Sequence, residues 1–427
     1  MRLDEYFEEI ERDAAAERRQ LVQEKSYAIT EHLEAVERQF DDHLSGDSVL
    51  GSTSPTIFVG RSNYPEVSAG VLSPVGHEDR AAEFETGSHW YEQDYSIDDV
   101  FARRTGLLNS NRPADVRNVA EAWDGDGLVG TQREVAIADR PVGVEIGLDG
   151  APEIDFEVSR RDVSTPTGPR ARAESAALTE NPHVPRPVKK TLEDDDWRAE
   201  GAMTYLYNRG FDVYDVNTIL SAGALGRGES RRLVPTRWSI TAVDDTVGQF
   251  LRGGIENAPS VDATEVHYNE YLGNRFWVVL APGNWEFELV EFKAPGSVWN
   301  PDPDRGYWVA ADYEGHGGRT GYVEETAGAY YAARLGALEH LRSRGRQATV
   351  LVLRHVTPDY WGPTGVWQVR ETVRNAFDGE PGEAESFGDA IEGIAPRLPV
   401  SLARLRRTST LAAGVQSRLE AFASSAN

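Results

Sequence analysis

Trp285-Glu286-Phe287-Glu288-Leu289-Val290-Glu291-Phe292-Lys293 sets large apolar side chains against charged ones with a period close to two. That period sends successive side chains to opposite faces of a pleated strand, so the stretch reads as β, with Glu291 and Lys293 on one face. Working outward, strand signals recur at residues 275–280, 307–311 and 348–355, and upstream at residues 233–243. Residues 324–344 carry a helical stripe through Tyr331, Leu335 and Leu338, and Gly345 is placed to end the helix in a left-handed turn. Strands and helices alternate without a regular βαβ rhythm. The expectation is an α+β fold, a mixed sheet with flanking helices.

Towards the N-terminus, residues 199–208 and 216–222 read as helices, and residues 164–190, rich in Pro, Thr, Ala and Arg, as a long connection. Residues 134–147 look strand-like, with Pro141 arguing for an edge or irregularity. A short strand at 56–60 leads into the loop Arg61-Ser62-Asn63-Tyr64-Pro65. Residues 3–40 predict a long N-terminal helix, through Ile29, Leu33, Val36 and Phe40, ended by a Gly/Ser/Thr-rich break at 46–55. At the other end, residues 401–410 are basic, 411–414 small and flexible, and a short tail follows. These shifts suggest a helical segment at 1–50, a first domain at 51–195, a second at 196–410 and a flexible tail at 411–427.

The 427 residues hold 44 basic and 70 acidic side chains, a formal charge of −26. Lysine occurs only at Lys25, Lys189, Lys190 and Lys293, so nearly all the positive charge is arginine. A carboxylate-rich, lysine-poor surface stays hydrated where salt screens its self-repulsion, which points to a salt-adapted, halophilic chain working in a cytoplasm. With no cysteine, disulfides, thiolate nucleophiles and Cys-type zinc sites are excluded. No apolar run reaches membrane-span length, so no membrane partner is expected. The nine histidines lack metal spacing, and neither G-x-S-x-G nor H-E-x-x-H occurs.

Four places bear residues suited to chemistry. In the tail, Gln416, Leu419 and Phe422 stand at the Q-x-x-h-x-x-a spacing of clamp-interacting peptides. Three-residue steps eclipse in a 3₁₀ turn, which would aim Leu419 and Phe422 into one apolar pocket. An amphipathic helix packed on its own domain would show the same spacing. Second, Arg227, Arg231 and Arg232, followed by Trp238, could set guanidinium forks against phosphates and a ring against a base; a turn before a buried strand is the plainer reading. Third, Glu291-x-Lys293 with Asp244 or Asp245 could hold Mg²⁺ as in metal-dependent nucleases, although a solvated, charged strand face reads alike. Fourth, Asp312, Glu314 and His316 lie in a Gly-rich stretch and could ligate a metal, and Arg61 and Arg237 are further polar-site candidates.

Several stretches together resemble the archaeal Nre family. They are Phe58-Val59-Gly60-Arg61-Ser62-Asn63-Tyr64-Pro65 with Ser68-Ala69-Gly70, Arg104-Thr105-Gly106-Leu107-Leu108, Leu220-Ser221-Ala222-Gly223, residues 233–245, and Ala329-Tyr330-Tyr331-Ala332-Ala333-Arg334. The resemblance implies a part in repairing DNA damage and recruitment by the sliding clamp, PCNA, through a C-terminal peptide, here Gln416, Leu419 and Phe422. It implies no catalytic residue. Some relatives begin with a Cys-rich segment, where this chain has charged sequence. A nucleotide-processing enzyme, using Mg²⁺ if it is a nuclease, and a scaffold joining the clamp to another protein are the competing readings.

Overall fold

A computed structural model of the chain describes residues 48–117, 127–150 and 167–414, apart from Pro55, together with Arg38, Phe40 and Val119. Except for Arg38 and Phe40, the predicted N-terminal helix lies outside the described residues, as do Gln416, Leu419 and Phe422. Two compact units divide the chain after Val247.

The first unit carries a six-stranded sheet in the order β1-β5-β6-β4-β3-β2. Its strands are β1 (Ser48–Ser52), β2 (Ile57–Val59), β3 (Glu66–Pro74), β4 (Leu107–Asp115), β5 (Gly143–Leu148) and β6 (Arg170–Leu178). All neighbours run antiparallel except β4 and β6. Helices α1 (His89–Glu92), α2 (Ile97–Thr105), α3 (Leu128–Ala136), α4 (Arg186–Glu193), α5 (Ala199–Asn208) and α6 (Val213–Ser221) accompany it, and α7 (Thr236–Ile255) begins in this unit. Val67, Ala69 and Val71 of β3, Val144 and Ile146 of β5, and Leu128 and Val135 of α3 share one buried core. Between these alternating positions Gly70 passes so close to β4 that a Cβ would lie 2.3 Å from the Ser110 carbonyl oxygen, a gap only glycine fits.

The second unit is built on another mixed sheet, ordered β10-β9-β11-β8-β7-β12. It comprises β7 (Thr264–Tyr271), β8 (Asn274–Ala281), β9 (Glu286–Lys293), β10 (Trp308–Glu314), β11 (Thr349–Val356) and β12 (Gly382–Ala384). Strand β11 enters between β8 and β9, parallel to β9 and antiparallel to β8. Helices α8 (Gly328–Arg344), α9 (Trp367–Ala376), α10 (Phe387–Ile394) and α11 (Leu402–Thr408) complete the unit. Gly345 ends α8 at φ 61°, as the sequence pattern predicts. The fold is α+β.

Four local expectations are corrected. Residues 233–243 are not a strand: they enter α7, whose buried Val243, Val247, Leu251 and Ile255 recur every four residues. Its Thr, Trp, Ile and Val favour strands, but burial of that stripe overrides propensity. Residues 134–147 are divided, Glu134 to Ala136 finishing α3 before Pro141 and β5. The supposed long connection at 164–190 contains β6 and the start of α4, and β6 turns Ala171, Ala173 and Ala176 inward, residues too small to mark a strand by hydrophobicity. Residues 411–414, expected to be flexible, continue a helical stretch from Thr410, with Leu411 and Ala412 buried against Val290 and Phe292.

Candidate nucleic-acid interface

Strand β2 and the first turn of α7 are joined by one hydrogen bond spanning 177 residues: the Val59 N–H donates to Thr236 Oγ1 at 3.0 Å. Ser221 Oγ lies 3.2 Å from the same hydroxyl and donates to the Val234 carbonyl at 2.8 Å. Pro235 then leaves its carbonyl to accept the Trp238 N–H at 2.7 Å and the Ser239 N–H at 3.0 Å. Ser239 Oγ, fully buried, donates to Asn217 Oδ1 at 2.6 Å. The start of α7 is therefore held from three sides.

Across from it, the loop after β2 turns through Asn63 at φ 62°, whose carbonyl accepts the Glu66 N–H at 3.0 Å; the Tyr64–Pro65 peptide is cis. A short polar side chain tolerates that left-handed conformation better than a branched one. The loop delivers Tyr64 to Trp238, ring centroids 5.3 Å apart and planes tilted by 52°. Both rings face solvent, Tyr64 52% and Trp238 45% exposed, and Arg61 and Arg237 beside them are exposed as well. Such a patch offers an aromatic surface for a base and guanidinium groups for phosphates. Tyr64 was not singled out as a binding residue in the sequence; an aromatic in an otherwise polar turn is the signal that marks it.

The arginine cluster is engaged differently from the expectation. Arg231 is buried, donating to the carbonyls of Gly226, Thr191 and Leu192 at 3.0, 3.2 and 3.0 Å, and burial pulls its pKa down. Arg232 turns onto the carbonyls of Glu229 and Arg231, and Arg227 donates to the Asp196 carbonyl. These guanidinium groups close loops. Asp244 is buried on α7.

In the second unit Glu291 and Lys293 do share a face, 2.9 Å apart, but that face is buried. Arg354, opposite Glu291 on β11, donates to its other carboxylate oxygen at 2.6 Å and to Asn274 Oδ1 at 2.8 and 3.0 Å. Burial pushes the Glu291 carboxyl up, and the charges of Lys293 and Arg354 outweigh it, holding the group below the usual carboxylate range. A magnesium pair needs a second carboxylate beside the first; here a second cation stands there. Glu314 ends β10 and is buried, accepting from Trp285 Nε1 at 2.9 Å and Arg334 Nε at 2.8 Å. Asp312 accepts the backbone N–H groups of Glu324, Glu325 and Thr326 and the Thr326 hydroxyl, while His316 is exposed. The suggested Asp312, Glu314 and His316 trio is thus divided among separate roles.

Among the described residues, one group of three possible metal donors converges: Glu265 and His267 of β7 and His340 of α8. The Arg344 guanidinium is fitted into it, at 2.6 and 2.8 Å from the two Glu265 oxygens and 3.2 Å from His340 Nε2. It already supplies the positive charge the trio would offer a cation. Among the described residues no helix is long and apolar enough to cross a membrane.

Two family models match the chain, and their boundary falls well beyond Val247, within the second unit. The archaeal Nre N-terminal family model matches residues 21–300 and the archaeal Nre C-terminal model residues 314–422. The DNA repair protein NreA of Haloferax volcanii is 67% identical over 423 residues, covering 99% of this chain and 100% of the relative. The DNA repair protein NreA of Archaeoglobus fulgidus is 40% identical over 350 residues, 82% of this chain and 85% of its own length. The same organism's DNA repair protein NreB is 34% identical over 363 residues, 85% and 88% of the two chains. No solved structure matches. The chain belongs to the archaeal Nre family.

Proposed function

We propose that this protein is a DNA-repair factor whose body meets DNA at the Tyr64–Trp238 surface and whose tail binds the sliding clamp through Gln416, Leu419 and Phe422. The observation that carries the reading is the solvent-facing aromatic pair flanked by Arg61 and Arg237, in a chain whose net charge is −26. Relatives named DNA repair proteins support the process; the tail spacing supports the recruitment. At high salt, counterion release contributes little affinity, so tethering through the clamp would raise the effective concentration of DNA at the body.

Calorimetry with the clamp at high salt, comparing the intact chain with one ending at Gly414, tests recruitment. The shortened chain keeps Ser409, Thr410 and Leu411, which bond to Glu288, so the body should remain folded. Loss of binding on truncation, and a large loss in Phe422→Ala, are expected. Equal binding by the intact and truncated chains would remove the tail from the mechanism.

A further inference from the structure

The geometry at Trp238 points to unpaired DNA: we infer that this surface binds a single strand or an exposed base, not an intact duplex. The inference rests on the reading of the Tyr64–Trp238 surface as the DNA contact. In a duplex, stacking neighbours cover both faces of every internal base, so an aromatic side chain reaches a base face without an unstacking cost of about a few kcal/mol only where the strand is unpaired or ends. Sandwiching a base between two rings would need about 7 Å, two contact distances of about 3.5 Å. The Tyr64 and Trp238 centroids are 5.3 Å apart. Tyr64 therefore braces Trp238 from one side, and a base stacks on the outer indole face.

Charge supports the same occupant. Acidic residues make up about one in six of the chain, 70 of 427, yet residues 51–65 and 230–243 contain none. These are the two segments that carry Arg61 and Tyr64, and Arg237 and Trp238. A phosphate backbone thus meets two exposed arginines, carried on segments that bear no carboxylate of their own. The ring is also set in advance, because Thr236 and Pro235 fix the turn that bears it. Ordering lost on binding is correspondingly small. Stacking does not depend on counterion release, so this contact persists at salt concentrations that weaken contacts made through phosphates alone.

The test uses the full-length protein, a fluorescein-labelled oligothymidine of about twenty nucleotides, longer than one such site covers, and a duplex of the same length. Anisotropy titrations are run across a salt series. The strand should bind at least about tenfold more tightly than the duplex, and Trp238→Ala should lose about tenfold for the strand while Trp238→Phe retains most of it. With two phosphates engaged, log affinity should fall against log salt with a slope of about −1.4. Duplex binding equal to or tighter than strand binding would overturn the substrate class but leave the DNA surface standing. Trp238→Ala binding the strand as well as the parent, with circular dichroism unchanged, would overturn the site itself. Absence of binding to either probe would overturn both.

Discussion

Around Trp238 the aromatic and guanidinium groups face water; around Glu291 every charged group is enclosed. Trp238 is 45% exposed beside Tyr64 at 52%, whereas Glu291, Lys293 and Arg354 are all less than 10% exposed. Both regions contain residue types that recognise DNA or metal, and both sit at strand or helix ends. What separates them is commitment: the Glu291 carboxylate is held by two cations, and Arg354 is further bonded to Asn274. A buried charge needs such partners, because an unpaired one loses hydration it cannot replace. An exposed aromatic pair has no comparable structural need, and its water-facing area is what a ligand can use.

The comparison breaks most visibly if Arg354 is removed. Arg354→Ala leaves Glu291 with Lys293 alone and Asn274 Oδ1 without its guanidinium, and should cost about 3–5 kcal/mol in chemical denaturation. A change below about 1 kcal/mol would mean that the cluster is not structural, and the polar groups at the ends of β9 and β11 would again be candidates for chemistry.

Glu288 gives the next effect. It lies on the opposite face of β9 from Glu291, accepting from Ser409 Oγ at 2.7 Å and from the N–H groups of Thr410 and Leu411 at 2.7 and 2.8 Å. Burial raises its pKa despite those bonds. Glu288→Ala would leave the buried Ser409 hydroxyl and Leu411 N–H, and the part-buried Thr410 N–H, without their acceptor, and should lower stability by about 1–3 kcal/mol. Hydrogen exchange should then rise at Thr410 and Leu411 before it rises in β9; uniform exchange would contradict a local anchoring role.

Glu85 tests whether a buried charge can lack a cationic answer. Burial pushes its carboxyl up to about 8, and the charge of Asp215 adds to the shift. The folded state therefore binds this proton more tightly than the unfolded one. Stability from Glu85 is fully present below about pH 4.5 and is lost as pH rises towards 8. Glu85 is only partly buried, which screens the shift, so Glu85→Gln should stabilise the protein by about 2 kcal/mol at pH 8, roughly half the unscreened linkage, and by little at pH 4.5, flattening the pH dependence of the melting temperature. Parallel curves for parent and variant would show that Glu85 titrates normally.

How far these regions could be read in advance depends on the range of the signal. Strands β8, β9 and β11 and helix α8 were legible because Trp277, Val279, Val290, Leu351, Tyr331 and Leu335 repeat at strand or helix periods within a few residues. Strand β6 was not, since its inward residues are alanines, and α7 was not, since β-branched residues open it. That Glu291 and Lys293 share a face follows from a period of two. That Arg354 lies opposite them depends on β11 pairing with β9 across 63 residues, which is set by strand order. The meeting of Tyr64 with Trp238 is longer in range still, decided by a backbone bond between β2 and Thr236. Residue chemistry was readable locally; solvent access and partnership belong to the assembled sheet.

The smallest expected effect is the one that sharpens the comparison most. Trp238→Ala removes a ring that is nearly half exposed and paired with the Tyr64 ring, so the loss in stability should be about 0.5–1 kcal/mol, the worth of one partly exposed aromatic contact. Thr236 and Ser239, which fix the start of α7, keep their bonds to Val59 and Asn217. A denaturation midpoint shifted by several kcal/mol would place Trp238 with Arg354, as a residue the fold requires. A small shift would leave the ring where its exposure puts it, on a surface whose stacking face is not needed to hold the protein together and is available to a base.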